Sequence, residues 1–357
     1  MEEKQEASEQ SSTPSLDCVD DYERKARELL SPDNARYIFS ATETETTMRR
    51  NLLAFSKYAL RRRVFQGIKE VDLSCSYFGG KIKSALPFFP SSINVAPLYQ
   101  GAIFDILKIS ENFDIPIFDS HQVIDASIDL LTLPSHVPKT CPLVWQIYLK
   151  QNNIDTTLKQ VAQSKKAGFK GLALTVDTEW GIKLQNKEEY KLLPSNFLNV
   201  TSKEVSRVKK ASSLPLIVKG IMAYEDAELA IECGADGIVV SNHGGRTLDH
   251  GEASLDVLPE IVKRLKSKKK TRSAEIFFDG GIRRGTDILK ALALGARGCL
   301  IGRPLFYGLT VARDKGAIAV MEILRDELAR AAALTGVRRI ESVNSSILRL
   351  TTTMINS

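Results

Sequence analysis

The sequence has few cysteines and no apolar segment at its N-terminus, and each absence excludes a class of protein. The cysteines are five among 357 residues, odd in number and far apart, so they predict reduced core thiols and neither a disulfide framework nor a metal cluster. The first sixteen residues lack the apolar core of a signal peptide and the Arg-rich pattern of a mitochondrial one. The C-terminal residues lack a Ser-Lys-Leu peroxisomal signal. We therefore expect a disordered tail over 1–16 and a cytoplasmic protein.

Charge and composition give little indication of a polyanionic partner or a membrane. The 49 basic and 43 acidic side chains are spread along the chain and leave a net charge of +6. The densest basic run, Lys263 to Arg272, could be a nucleic-acid patch. No aromatic residue is interleaved with it, so a solvated helix end is the favoured interpretation. Hydrophobic residues at 43% and charged residues at 26% are ordinary globular values, and we expect neither nucleic acid nor membrane as a partner.

The order of hydrophobic runs predicts a single α/β domain, a (β/α)8 TIM barrel preceded by an N-terminal helical segment over residues 20–56. Eight short apolar or β-branched runs then alternate with helical stretches, which is the order of such a barrel. Three of the helices end on a glycine just before the next strand. We place the barrel domain at 17–345 and a C-terminal tail at 346–357. The predicted strands are 93–96, 115–118, 143–148, 171–176, 216–218, 237–240, 275–278 and 298–301.

The most informative motif is Ser241 to Asp249, which follows the buried-strand pattern of Gly237 to Val240. His243 can exchange a proton near neutral pH, and Arg246 offers a planar fork that matches a carboxylate. The two glycines between them let a ligand approach the backbone. A base beside a carboxylate-binding group indicates chemistry on a small acid. The alternative, a loop whose His and Arg satisfy local hydrogen bonds, stays open for this motif taken alone.

Polar residues also follow the other strands of the second half of the chain. In barrels of this kind the chemistry lies at the carboxyl ends of the strands, and the last two loops often bind a phosphate. A tight turn alone would also require the two adjacent glycines of the seventh loop, but the arginines beside them favour a phosphorylated cofactor. The residues at these strand ends are Asp177, Lys219, Asp279, Gly280, Gly281, Arg283, Gly302 and Arg303.

Four segments resemble the FMN-dependent 2-hydroxy acid oxidase and dehydrogenase family, which includes glycolate oxidases and L-lactate dehydrogenases. They are IVKGI, GIVVSNHGGRTLD, FFDGGIRRGTDILKALALGA and IGRPLFYGL. So long a match is highly specific, and a thinner resemblance extends from about Asp20 to Arg338. The resemblance implies FMN as cofactor, a small 2-hydroxy acid as substrate, O2 or another carrier as electron acceptor, and a homo-oligomer. It leaves open whether the chain is an oxidase or a dehydrogenase.

The resemblance also implies roles for individual residues. His243 would be the base that takes a proton from the substrate, and Asp177 would stabilise the imidazolium that forms. Arg246 and Tyr37 would bind the substrate carboxylate, and Tyr148 would hydrogen-bond the reacting oxygen. Lys219 would offset negative charge on the reduced flavin. The remaining cofactor residues would be Ser120, Gln146, Thr175 and Ser241 near the ring system, and Asp279, Gly281, Arg283, Gly302 and Arg303 near the ribityl phosphate.

The chain departs from the family pattern in the first half of the barrel. Leu98 and Tyr99 stand where we expect small residues beneath the flavin, Gln122 replaces an aromatic lid, and Lys183 is the nearest substitute for an arginine. These changes predict a reshaped substrate pocket. They also leave two alternatives: a catalytically impaired flavin-binding barrel that serves as an interaction protein, and another FMN or phosphate-sugar barrel enzyme such as an isomerase.

Overall fold

The computed structural model describes residues 16–119, 130–138, 140–149, 154–178, 200–267 and 274–351. The described part of the chain begins with three helices, α1 (Val19–Leu29), α2 (Pro32–Phe39) and α3 (Thr46–Leu53). Ser31 caps α2 by accepting the N–H of Asn34, and Pro32 occupies its first turn. Three short strands follow: β1 (Tyr58–Leu60) and the antiparallel pair β2 (Cys75–Tyr77) and β3 (Ile82–Ser84). The predicted N-terminal helical segment is therefore present.

Eight parallel strands form the body of the molecule. In sheet order they run β4, β11, β10, β9, β8, β7, β6, β5, and β4 also lies beside β5, so that the sheet curls into a nearly closed barrel. Most positions of these strands are buried on both faces, as their continuous apolar sequences require. The strands are β4 (Phe88–Pro90), β5 (Ile117–Asp119), β6 (Leu143–Ile147), β7 (Gly171–Thr175), β8 (Leu216–Ile221), β9 (Gly237–Val240), β10 (Glu275–Asp279) and β11 (Gly298–Ile301).

Aromatic side chains fill the interior of the barrel. The rings of Phe89 and Phe118 stack with centroids 5.9 Å apart, and Phe277 lies edge-on to both. These three large rings lie at a similar depth and fill the barrel interior, which is therefore a packed core. A ligand would bind beyond the strand ends. The predicted (β/α)8 TIM barrel is confirmed.

Helices surround the barrel, and most of the described ones that join two barrel strands end within a few residues of the next strand. They are α4 (Ala102–Phe113), α5 (Ile154–Ala167), α6 (Ser202–Ala211), α7 (Tyr224–Glu232), α8 (Ser254–Ser267), α9 (Gly285–Ala293) and α10 (Arg303–Thr335). The last of these is two helices joined at a break, because Ala312 and Arg313 have non-helical backbone angles. Among the described ranges, no helix has the length and apolar character that crossing a membrane requires.

Two predicted segments are misplaced, and the other barrel strands except β9 and β11 differ from the predicted bounds by one to three residues. The first barrel strand is Phe88–Pro90 and not 93–96, because the aromatic pair Phe88–Phe89 fills the space between β11 and β5 while residues 91–94 form the loop that follows. The Pro residues that flank the pair argue against a strand in a sequence-based prediction. The segment assigned to a C-terminal tail, 346–357, contains β12 (Leu348–Leu350), which pairs antiparallel with β1. Residues 352–357 lie outside the described part of the chain.

The five cysteines form no disulfide with one another. Cys75, Cys141 and Cys299 are buried. Burial raises the pKa of the Cys75 thiol to about 12, and burial raises the pKa of Cys299 well above its usual value. These three thiols stay protonated and behave as small apolar core residues, as predicted. Cys18 and Cys233 are only partly buried, so the prediction of a core position does not hold for them.

Candidate active site

A cavity of about 370 Å³ opens at the carboxyl ends of the barrel strands. This volume lies within the usual range of small-molecule sites. Its wall consists of residues from α2, α10, β8, β10 and β11 and from the loops after β4, β6, β9, β10 and β11. The wall includes Tyr37, Ser91, Ser92, Ile93, Asn94, Tyr148, Lys219, His243, Gly244, Arg246, Asp279, Gly280, Gly281, Arg283, Gly302 and Arg303.

A histidine and a carboxylate are paired beside this cavity. Nδ1 of His243 lies 3.2 Å from Oδ1 of Asp177, which follows β7. Burial acts to raise the pKa of Asp177, but the nearby His243 ring and the Lys219 ammonium outweigh it, so the pKa is lowered. Asp177 is therefore ionised at neutral pH, and it holds the His243 ring with Nδ1 as the donor. Nε2 is then the nitrogen that can accept a proton from a molecule in the cavity.

The backbone of the His243 loop is unusual and is supported from α3. His243, Gly244 and Gly245 all have positive φ angles, of 56°, 66° and 78°. A Cβ on Gly245 would lie 2.6 Å from the backbone nitrogen of Met48, so only glycine lets α3 approach this closely. This contact presents the His243 side chain to the cavity from a rigid loop.

A reciprocal amide pair fixes the residue before His243. Asn51 on α3 donates to Oδ1 of Asn242 at 2.8 Å, and Asn242 donates back to Oδ1 of Asn51 at 2.9 Å. Asn51 Oδ1 also accepts the N–H of Ser254, at the start of α8. Both asparagines are buried. The pair thus ties α3, the His243 loop and α8 together, and neither asparagine was predicted as a site residue.

Arg246, Tyr37 and Tyr148 form the part of the wall that is predicted to bind the substrate. The guanidinium of Arg246 lies over the Tyr37 ring, 4.7 Å from its centroid, and Nη2 donates to the carbonyl of Tyr37. Nε of Arg246 is buried and has no hydrogen-bond partner within the described ranges. Burial lowers the pKa of Arg246 and raises the pKa values of Tyr37 and Tyr148. A bound anion would therefore find a desolvated cation beside two protonated hydroxyl groups.

A second group of polar side chains lies deeper in the barrel mouth. Lys219 on β8 and Asp279 on β10 form an ion pair of 3.3 Å, and Ser241 donates to the same Asp279 oxygen at 2.8 Å. Gln146 on β6 donates to the hydroxyl of Thr175 on β7. Oε1 of Gln146 is buried and has no hydrogen-bond partner within the described part of the chain. An acceptor of this kind calls for a donor from a bound molecule.

The far end of the cavity is formed by Gly280, Gly281, Arg283 and Arg303. A Cβ on Gly281 would lie 2.3 Å from the carbonyl oxygen of Asn51, and Gly280 also has a positive φ. Burial, together with the charges of Arg246 and Arg283, lowers the pKa of Arg303 to about 10. A bound anion would relieve this crowding of positive charge.

Comparison with known proteins identifies the chain. A sequence profile of the family described as FMN-dependent dehydrogenase matches residues 26–198 and 183–350. The human 2-hydroxyacid oxidase 1 is 30% identical over 371 residues, which cover 94% of this chain and 97% of that protein. The chain belongs to the FMN-dependent dehydrogenase family. A peroxisomal (S)-2-hydroxyacid oxidase of Arabidopsis thaliana is 31% identical over 95% of this chain and 98% of its own length. The flavin-binding domain of baker's yeast flavocytochrome b2 has a similar fold, with a TM-score of 0.84 and 30% identity over 96% of this chain and 90% of that chain.

Membership of the FMN-dependent dehydrogenase family confirms the resemblance, the class of enzyme and FMN as the cofactor. Three features of the cavity are compatible with bound FMN. Its volume suits a small molecule, the buried Oε1 of Gln146 calls for a donor, and the arginines at the far end suit a phosphate. Four more residues of the wall, Ser91 to Asn94, were not predicted. The Pro-bounded aromatic strand before them is the signal that could have placed them.

One predicted feature of the FMN-dependent dehydrogenase site is wrong. We expected Leu98 and Tyr99 beneath the flavin, but neither residue lines the cavity. The Tyr99 hydroxyl donates to Asp105 on α4, and its ring lies under the guanidinium of Arg313. The error follows from the misplaced first strand, since the loop after β4 reaches the cavity with residues 91–94. Ser120, Gln122 and Lys183 lie outside the described residues.

Proposed function

We propose that the chain oxidises a small (S)-2-hydroxy acid to the corresponding 2-oxo acid, with His243 as the base and Arg246 as the group that binds the substrate carboxylate. One observation carries the proposal: His243, held by Asp177 at 3.2 Å, shares its cavity with Arg246. A base and a carboxylate-binding fork on one short loop therefore line the same cavity and could act on one small molecule. The reaction agrees with the family and with the names of its relatives.

In the proposed mechanism, His243 takes a proton from the substrate on Nε2 while Nδ1 stays bonded to Asp177. The ionised Asp177 stabilises the positive charge that the ring then carries. Arg246 and Tyr37 orient the substrate through its carboxylate. The raised pKa of Tyr148 keeps its hydroxyl protonated, so it can donate to the reacting oxygen. FMN, when bound, would supply the oxidising power as the acceptor of two electrons and of the second proton.

The residues that would hold FMN divide between two ends of the cavity. Near the ring system we assign Ser120, Gln146, Thr175, Ser241 and Lys219. The buried Lys219 offers positive charge, and the buried Oε1 of Gln146 accepts a hydrogen bond. For the ribityl chain and phosphate we assign Asp279, Gly281, Arg283, Gly302 and Arg303, supported by the concentration of positive charge there.

The decisive experiment is anaerobic reduction of the flavin in the purified protein by a panel of 2-hydroxy acids. We expect bleaching of the yellow flavin, and a His243→Gln variant that keeps FMN but reduces it about 100- to 10,000-fold more slowly. His250→Gln is the matched control, since this side chain is 67% exposed and does not line the cavity. A His243→Gln protein that bleaches as fast as the parent would refute the assigned base. Failure of every acid to bleach the parent would favour the interaction-protein alternative.

Finer properties stay proposals. We propose that Gln122 and Lys183 contribute to the substrate pocket and favour a 2-hydroxy acid with a polar or extended side chain over glycolate and L-lactate. Readmitting oxygen to the reduced protein distinguishes an oxidase from a dehydrogenase. We keep the expectations of a cytoplasmic homo-oligomer without nucleic-acid or membrane partners, although one relative is named peroxisomal. Fractionation of cells and light scattering of the purified protein would test them.

A further inference from the structure

The C-terminal end of α2 has carbonyl groups that the helix does not satisfy, and two arginines of the cavity bond to them. The amide N–H groups of residues 41 and 42, four positions after Tyr37 and Ile38, donate elsewhere. Arg246 donates to the carbonyl of Tyr37, and Arg303 donates to that of Ile38 at 3.0 Å. Cations are favourable at this end of a helix because its carbonyl dipoles point outward.

Arg303 makes contacts beyond α2. Its Nη2 donates to the carbonyl of Ser40 at 3.0 Å, and its Nη1 donates to the carbonyl of Gly244, also at 3.0 Å. The approach to Gly244 is tight, because a Cβ there would lie 2.8 Å from Nη1. One guanidinium thus bonds to three main-chain carbonyls on two segments. Ile38 immediately follows Tyr37, and Gly244 immediately follows His243.

We propose that Arg303 is a positioning residue for the reaction, because its guanidinium fixes the segment that carries Tyr37 relative to the loop that carries His243. This role is separate from contact with the cofactor phosphate. A guanidinium has five N–H donors, and three carbonyls use three of them, which leaves two for an anion. The kinetic part of the inference rests on the proposed function of His243 and Tyr37.

A lysine at position 303 separates the two roles. Its ammonium keeps the positive charge that a phosphate needs, but a point charge does not reproduce a planar fork that reaches three carbonyls. Arg283 provides the matched control. It also lines the cavity, but its bonds go to the carbonyl of Ile282 and the hydroxyl of Tyr307, neither of them on α2 or the His243 loop.

The first experiment compares Arg303→Lys with Arg283→Lys in the full chain. Quenching of flavin fluorescence gives Kd for FMN and for riboflavin, and we expect both variants to keep the preference for FMN. At saturating FMN, we expect Arg303→Lys to lose about 10- to 100-fold in kcat, since small displacements of reacting groups have effects of this size. Arg283→Lys should lose less in kcat than Arg303→Lys, and Arg297→Lys, at an arginine that does not line the cavity, should stay within about 2-fold. Equal kcat losses in both variants, or an unchanged kcat in Arg303→Lys, would overturn the proposal.

The second experiment is chemical rescue of Arg303→Ala. Added guanidinium should restore part of kcat at a non-denaturing concentration, and methylammonium at the same concentration should not, because only the planar cation can bridge the carbonyls. Equal rescue by both cations would assign Arg303 to charge alone and overturn the positioning role. Neither result depends on how well the Lys variant folds.

Hydrogen–deuterium exchange tests the same contacts without turnover. The N–H of Thr42 donates to the carbonyl of Gly245 at 3.1 Å, and the N–H of Gly245 donates to the carbonyl of Asn242 at 3.0 Å, so each segment has a reporter amide. We expect peptides spanning 37–42 and 241–246 to exchange about 10-fold faster in Arg303→Lys than in the parent or in Arg283→Lys. Unchanged exchange in both peptides would show that Arg303 does not hold the two segments together. This conclusion would stand even if the parent proved inactive on every 2-hydroxy acid. Inactivity with faster exchange would refute only the proposed function.

Discussion

The carboxylate of Asp177 rests against the backbone of Gly220, so closely that a Cβ on residue 220 would lie 2.5 Å from Cγ of Asp177. Gly220 has a φ of +106° and lies where the register of β8 against β9 shifts. The strand next to Asp177 therefore decides where its carboxylate lies. Because Asp177 holds the His243 ring, the absence of a side chain at residue 220 is part of the geometry that we propose for catalysis.

We expect Gly220→Ala to displace Asp177 and to lower kcat by about 10- to 100-fold. The loss should appear in stopped-flow reduction of the flavin at saturating substrate. Gly79→Ala is the control, because Gly79 also has a positive φ, of 68°, but a Cβ there would meet nothing within 4 Å. This control separates backbone strain from the contact with Asp177. A Gly220→Ala variant with the kcat of the parent would show that the carboxylate tolerates displacement.

The amide pair of Asn51 and Asn242 should contribute to stability as well as to the position of the His243 loop. We expect Asn51→Ala to lower the free energy of unfolding by about 1–3 kcal/mol, because it leaves buried polar groups of its partners unsatisfied. Urea denaturation measures the change. Asn112→Ala, at an exposed hydrogen bond on α4, should stay within about 0.5 kcal/mol. If the two variants unfold at the same urea concentration, the amide pair contributes no more to the free energy of unfolding than an exposed hydrogen bond does.

The lowered pKa of Asp177 predicts a pH dependence of stability with a definite sign. Because its folded pKa is below the unfolded value of about 3.9, the carboxylate contributes stability above that pH. The contribution is lost as the pH falls through the folded value. In the parent, the free energy of unfolding should fall more steeply below about pH 4 than in Asp177→Asn. Parallel curves for the two proteins in acid would contradict the lowered pKa.

Arg313 stands in a strained conformation at the break in α10, with φ of 51° and ψ of −136°. Its guanidinium lies 4.7 Å from the centroid of the Tyr99 ring, a contact worth about 0.5–1 kcal/mol at an exposed site. Backbone strain of this kind costs about 1–3 kcal/mol. We therefore expect Arg313→Gly to be more stable than Arg313→Ala by about that strain, as measured by thermal unfolding. An alanine variant as stable as the glycine variant would show that the break is not strained.

The sequence by itself determined the barrel and the chemistry of its second half. β9 and β11 were predicted with the bounds that the structure has, because runs such as Gly237 to Val240 are apolar on both faces and suit a buried strand. His243 and Arg246 lie three residues apart in one motif, so their shared cavity could be inferred from adjacency. The aromatic strand Phe88–Pro90 was missed because its flanking prolines resemble a loop, and the misplacement of Tyr99 followed from it.

Only the tertiary structure decided which groups these residues contact. Arg303 bonds to the carbonyl of Ile38, 265 residues away, and Arg246 bonds to the carbonyl of Tyr37, 209 residues away. Every residue has a main-chain carbonyl oxygen. No sequence pattern therefore shows which carbonyls lie within hydrogen-bond distance of a given arginine. The same holds for Gly220, whose role depends on the Asp177 carboxylate that β7 places beside it. The sequence specifies the chemistry of each side chain. Contacts between distant backbone groups form only when the chain folds into the barrel.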